Sequence, residues 1–169
     1  VKLSLLLSYL MRPENEIWNY QQIELGFNYR MTDIHAALGL SQMARVDEFV
    51  RLRHEIAQYY HNELKALPVI TPWQAPQNVS SYHLYPIRIK NESNVKQRQV
   101  YDVLWRGGIA ANVHYIPVHR QPYYEDIGFR AGQFPEAERF HHEVISLPIY
   151  PDLSRRQQDT VVRVLESIF

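Results

Sequence analysis

Cysteine is absent from this chain of 169 residues. That excludes a disulfide framework, a thiol nucleophile and a thiolate metal site. An excess of either charge is also missing, because 18 lysines and arginines balance 18 aspartates and glutamates. No net field draws the chain to nucleic acid or to an anionic membrane surface, and neither is expected as a partner. The apolar stretch 1–10 (VKLSLLLSYL) is far too short to span a bilayer. It shows neither the basic start nor the small-residue cleavage pattern of a signal peptide. It reads as a core helix or strand, and a cytoplasmic location is expected. There is no glycine-rich phosphate loop, no G-x-S-x-G elbow and no H-E-x-x-H metal helix.

What is present begins with the stretch ELGFNYRMTD at 24–33. Gly26 permits a backbone turn that a Cβ would resist. Asn28, Tyr29 and Arg30 then set an amide, a phenol and a guanidinium side by side. Thr32 or Asp33 can cap a helix that follows. The apolar spacing carries that helix to Leu67, where Pro68 ends it. Anion-compatible groups thus stand at the positive end of a long helix dipole. The first half of the helix, IHAALGL at 34–40, is small and apolar. Gly39 within it suggests close approach of another backbone, since glycine costs a helix about 1 kcal/mol relative to alanine. The second half sets Val46, Phe49, Ile56, Tyr60, Leu64 and Leu67 on one face.

Prolines 72 and 76 mark a connector to a second lobe. A strand is expected at 82–89, and Pro86 within it calls for an edge or a bulge. A helix over 94–106 stops at Gly107-Gly108, and a second strand follows at 109–113. The segment 114–124 (HYIPVHRQPYY) is the densest polar-aromatic stretch, and its two prolines predict an ordered loop at a strand end. Its histidines and Arg120 can bond phosphate oxygens, and Tyr115, Tyr123 and Tyr124 can stack on rings. A packed aromatic loop covering the sheet end is an equal reading of the same composition. A metal site at His114 and His119 lacks a converging third ligand, and no metal is expected. A helix over 134–144, an extended run at 146–153 and a last helix opened by a Ser154–Gln157 capping box complete the chain. The fold expected is α/β, with an α+β small domain.

The blocks GFNYRMTDIHAALGLSQ, HLYPIRI, VHYIPVHRQPYY and GQFPEAERFHHEVISLPIYPDLS, in this order, resemble the DegT family of sugar-nucleotide aminotransferases. The loop block is most similar to the branch serving pseudaminic acid and other cell-surface glycans. The resemblance implies the C-terminal portion of a fold-type I enzyme that uses pyridoxal 5′-phosphate and works as a homodimer. Its reaction would pass an amino group, usually from glutamate, to a keto nucleotide sugar. Residues 1–31 would then end the large coenzyme-binding domain, 32–67 would be the interdomain helix, and 68–169 the small domain. Asn28 matches the residue that reaches across the dimer to the coenzyme phosphate, flanked by Tyr29 and Arg30. His114, Tyr115 and His119 match the loop beside the nucleotide-sugar pocket. None of the four lysines, Lys2, Lys65, Lys90 and Lys96, has the context of the family's Schiff-base lysine. That residue is expected outside this chain, which would then be inactive by itself. The alternative is an inactive nucleotide-sugar binding or dimerisation module; a metal-dependent hydrolase is a third reading.

Overall fold

The computed structural model describes residues 31–90 and 92–169, together with the backbone of 9–11 and 21–24. It divides into two compact units, 1–46 and 47–169. In the first, β1 (Tyr9–Met11) pairs antiparallel with β2 (Gln21–Glu24). Helix α1 (Asp33–Met43) follows, capped by the Thr32 side chain, which accepts from the His35 backbone N–H at 3.3 Å. No residue of α1 is buried, and Ile34, Leu38, Leu40 and Met43 are all exposed. Among the described residues nothing comes within 4 Å of where a Cβ on Gly39 would sit, so the close approach expected there is not made.

The single helix expected over 32–67 is instead two. A turn at Ala44 and Arg45 separates α1 from α2 (Val46–Glu63), and a 3₁₀ turn (Leu64–Ala66) closes the run. The break carries no proline or glycine, so periodicity alone runs through it. Its place matches the change from an all-round apolar sequence to a one-faced amphipathic one.

The second unit is built on a three-stranded antiparallel sheet, β3 (Val69–Ile70), β4 (Tyr85–Ile89) and β5 (Val144–Leu147), in that order. Around it lie α3 (Gln97–Arg106), a 3₁₀ turn (Val118–Arg120), α4 (Pro122–Asp126), α5 (Pro135–Glu143) and α6 (Arg155–Glu166). The expected strand at 109–113 is reduced to a single bridge from Asn112 to Ser146. Proline does not keep 114–124 wholly out of helix either. Pro122 opens α4 at a position where the missing N–H has no intrahelical partner to lose.

Alternation along the strands gives the sheet two distinct faces. Tyr85, Ile87, Ile89, Ile145 and Leu147 point into one core with Ile56, Tyr60 and Leu64 of the α2 run, Val100 and Leu104 of α3, and Val161 and Leu165 of α6. Pro86, Arg88, Val144 and Ser146 point the other way. On that second face Arg88 donates to Glu143 at the end of α5, from Nε at 2.9 Å and Nη2 at 2.5 Å, and its guanidinium lies 5.8 Å from the Phe140 ring centre.

Pro86 sits in the middle strand and in regular register, at neither the edge nor the bulge that its sequence suggests. The Lys90 N–H donates to Pro68 O, so the even-numbered donors of β4 point toward β3. Strand β3 reaches only as far as Ile70, opposite Arg88. The missing donor of Pro86 therefore faces a locally open edge, and no ladder bond is lost.

Buried polar groups in the core are paired. The Tyr60 hydroxyl donates to Pro148 O at 3.1 Å, and the Tyr85 hydroxyl meets His61 Nδ1 at 3.0 Å. Burial pushes both phenols well above their ordinary range. Arg53 Nη1 reaches the carbonyls of Tyr82 (3.0 Å) and Ile149 (2.9 Å), which ties two connectors to α2. Ile87 has no exposed surface and lies at the centre of the core. Ile87→Ala is expected to lower unfolding free energy by about 2–5 kcal/mol, read by urea titration. A loss within error would show that the sheet is not the centre of stability.

Candidate functional site

The second face of the sheet is the floor on which the segment 114–143 stands. Its root is Ser146. This residue is buried, and its backbone exchanges hydrogen bonds with Asn112: N–H to Asn112 O at 2.7 Å, and Asn112 N–H to Ser146 O at 3.2 Å. Its hydroxyl lies 2.9 Å from His114 Nδ1. One residue thus fixes the arriving chain by main chain and side chain together. His114 then packs edge-to-face on Tyr115, with ring centres 4.7 Å apart, and Tyr115 is 72% exposed. The geometry holds an imidazole at the base of a free phenol.

His119, the other histidine of the motif, is placed differently. It is 7% exposed, its ring lies 4.8 Å from that of Phe134, and its Nε2 meets Glu138 Oε1 at 2.8 Å. The same Glu138 oxygen accepts the Gly132 N–H at 2.7 Å. These two bonds, that from His119 foremost, hold the Glu138 carboxyl below the ordinary carboxylate range. Arg120 pairs with Glu125 at 2.8 Å.

Between this segment and α5 lies an apolar cavity of about 360 Å³. It is lined by Pro117, Val118, His119, Tyr124, Phe129, Phe134 and Ala137. The two histidines and Tyr115 therefore share one loop but not one surface: His114 and Tyr115 form its open end, and His119 lines the cavity beneath. Glu138 and Ser146 were missed in the sequence, where each reads as an ordinary helix or strand residue. Asn28, Tyr29 and Arg30 lie outside the described residues.

His141 Nδ1 is buried without a hydrogen-bond partner. Burial, then the neighbouring His142, lowers the His141 pKa from 6.5, while a bond with the Tyr115 backbone works in the opposite sense. A second concavity of about 450 Å³ includes Lys90, Lys96, Arg98 and His142, at the start of α3. Its charge is partly spent, because Arg98 Nε donates to Asp102 at 2.9 Å. Among the described residues no three His, Asp or Glu side chains converge as metal ligands. No helix of the described residues is long and apolar enough to cross a membrane.

Comparison with known proteins agrees with this architecture. Residues 4–166 match the DegT/DnrJ/EryC1/StrS aminotransferase family, and the chain belongs to it. It is 28% identical over 160 residues to the UDP-4-amino-4,6-dideoxy-N-acetyl-beta-L-altrosamine transaminase of Campylobacter jejuni, covering 92% of this chain and 42% of that protein. Its fold matches Helicobacter pylori PseC, an aminotransferase involved in the biosynthesis of pseudoaminic acid, with a TM-score of 0.81 and 26% identity, over 98% of this chain and 44% of that one. It also matches the PLP-form of the putative sugar aminotransferase Spr1654 of Streptococcus pneumoniae, with a TM-score of 0.82 and 27% identity, over 98% and 43% of the two chains. The chain thus spans less than half the length of these relatives.

The histidine beside the loop sets a pH dependence. His141 takes up a proton less readily in the folded chain than its ordinary pKa of 6.5, so the unfolded chain binds that proton first. Its contribution to stability is complete above pH 6.5 and falls as pH drops through the lowered native value. In His141→Gln this limb of the melting-temperature curve should flatten. A curve identical to the parent's would contradict the burial argument.

Proposed function

We propose that this chain is the C-terminal portion of a pyridoxal 5′-phosphate-dependent aminotransferase, which transfers an amino group from glutamate to a keto nucleotide sugar. The observation that carries this reading is the loop at 114–124. It is rooted on a buried serine and presents an imidazole and an exposed phenol at its open end. That is the chemistry required to bond sugar hydroxyls or phosphate and to face a base ring. The name of the Campylobacter relative supports a UDP-linked sugar, and that of the Helicobacter relative a place in pseudaminic acid biosynthesis.

Coenzyme chemistry fits some residues of this chain and not others. Asn28, Tyr29 and Arg30 are a donor set suited to a phosphate. Lys65, Lys90 and Lys96 are all exposed, and none offers the enclosed amine that a covalent anchor requires. When bound, the coenzyme supplies an electron sink for the amino-group exchange. In this proposal Asn28, Tyr29 and Arg30 hold its phosphate across a homodimer, and the lysine belongs to sequence outside these residues. His114 and Tyr115 orient the nucleotide sugar, and His119 supports them from below. The exposed apolar residues of α1 are consistent with pairing of two chains. The domain assignment that follows is 1–31 to a larger coenzyme domain and 68–169 to the small domain, in a cytoplasmic enzyme.

A non-catalytic reading needs the same loop to bind nucleotide sugar but no coenzyme. Calorimetry with UDP-N-acetylglucosamine tests what the two readings share. Binding is expected, and Tyr115→Ala should weaken it by about three- to tenfold, the loss of one ring contact worth ~1 kcal/mol. Absence of heat at millimolar ligand would overturn both.

A further inference from the structure

We propose that Glu138 is the positioning residue of the substrate loop: a single carboxylate oxygen ties His119 to Gly132 and so fixes the whole segment between them. This rests on the reading of 114–124 as the substrate loop. The two donors bracket everything the chain does between the 3₁₀ turn and α5. Oε1 accepts from His119 Nε2 at 2.8 Å at one end and from the Gly132 N–H at 2.7 Å at the other.

The segment between is braced within itself. Arg120 Nε donates to Glu125 at 2.8 Å, and Arg130 Nη1 donates to the carbonyls of Glu125 (2.6 Å) and Phe129 (2.7 Å). Rings run through it in sequence: Tyr123 to Tyr124 at 5.4 Å, Tyr124 to Phe129 at 6.1 Å, and Phe129 to Phe134 at 6.3 Å. A unit braced internally can be placed by fixing its ends, and Glu138 holds both.

Two local features suit that task. Gly132 has φ +84°, a conformation side chains resist, although nothing lies within 4 Å of a Cβ there. The glycine is therefore required by the direction of its N–H and not by space. Among the described residues that line the apolar cavity between the segment and α5, only His119 makes an ion pair, and that pair is to Glu138. Without the carboxylate, the rings Tyr124 and Phe129 on one side and Ala137 on the other can part. The loop end bearing Tyr115 would then lose its fixed distance from the sheet.

The test is hydrogen exchange on the intact chain, read beside calorimetry with UDP-N-acetylglucosamine. Glu138→Ala should speed exchange at the Gly132 amide by about tenfold or more, as expected when a charged acceptor is removed. It should weaken ligand binding by at least about fivefold, and leave the Ile87 and Ile145 amides of the sheet unchanged. Glu138→Gln retains an acceptor oxygen of the same reach, and should restore most of both readouts. Unchanged exchange at Gly132 in Glu138→Ala would overturn the proposal. So would faster exchange with unaltered affinity, or equal loss of protection throughout the sheet, which is the mark of general destabilisation. If the parent chain binds no UDP-N-acetylglucosamine, the functional reading fails, and with it the role in substrate binding. The Gly132 amide then still decides whether Glu138 holds the segment.

Discussion

The bond between the Ser146 hydroxyl and His114 Nδ1 joins the packed sheet to the exposed loop. Ser146 can make it because β5 alternates. Ile145 and Leu147 are committed to the core, which leaves Val144 and Ser146 on the opposite face. The main chain of Ser146 is free to pair with Asn112 because Ile145 and Leu147 carry the ladder to β4, while the N–H and C=O of Ser146 turn to the other side of the strand. Pro86 and Ser146 stand opposite each other as a pair that exchanges no hydrogen bonds, so the proline costs the β4–β5 ladder nothing. A one-residue slip of β5 would turn the loop's root into the core.

From that root outward, order is maintained by a few polar bonds among many rings. Glu138 and Arg88–Glu143 both connect to α5, one from the loop and one from the sheet. Helix α5 is therefore the wall against which the loop is set. Apolar contacts supply most of the stabilisation in such an arrangement, but they are non-directional. The hydrogen bonds of Ser146 and Glu138 supply the direction. This division explains why His119, chemically equal to His114, is spent inside while Tyr115 beyond His114 remains exposed.

Much of this was legible in the residues. The capping box at Ser154, the inward positions Val161 and Leu165, and the apolar face of α2 at Ile56, Tyr60 and Leu64 follow from spacing alone. The order of motifs was enough to indicate the aminotransferase family. Other features depend on pairing between distant residues, which no local pattern carries. The break at Ala44-Arg45 has no breaker residue, and the middle position of β4 depends on how short β3 is. The strand expected at 109–113 was reduced to one bridge because only Asn112 faces Ser146. Glu138 was invisible for the same reason: its partners lie in a turn and a loop that only the fold brings together.

In the proposed function, nucleotide sugar binds at the loop rooted on Ser146. Amide chemical-shift mapping of the labelled chain during titration with UDP-N-acetylglucosamine tests it most directly. The largest shifts are then expected at 114–124 and at Ser146. Shifts concentrated instead at Lys90, Lys96 and the start of α3 would place the ligand in the basic concavity and contradict it.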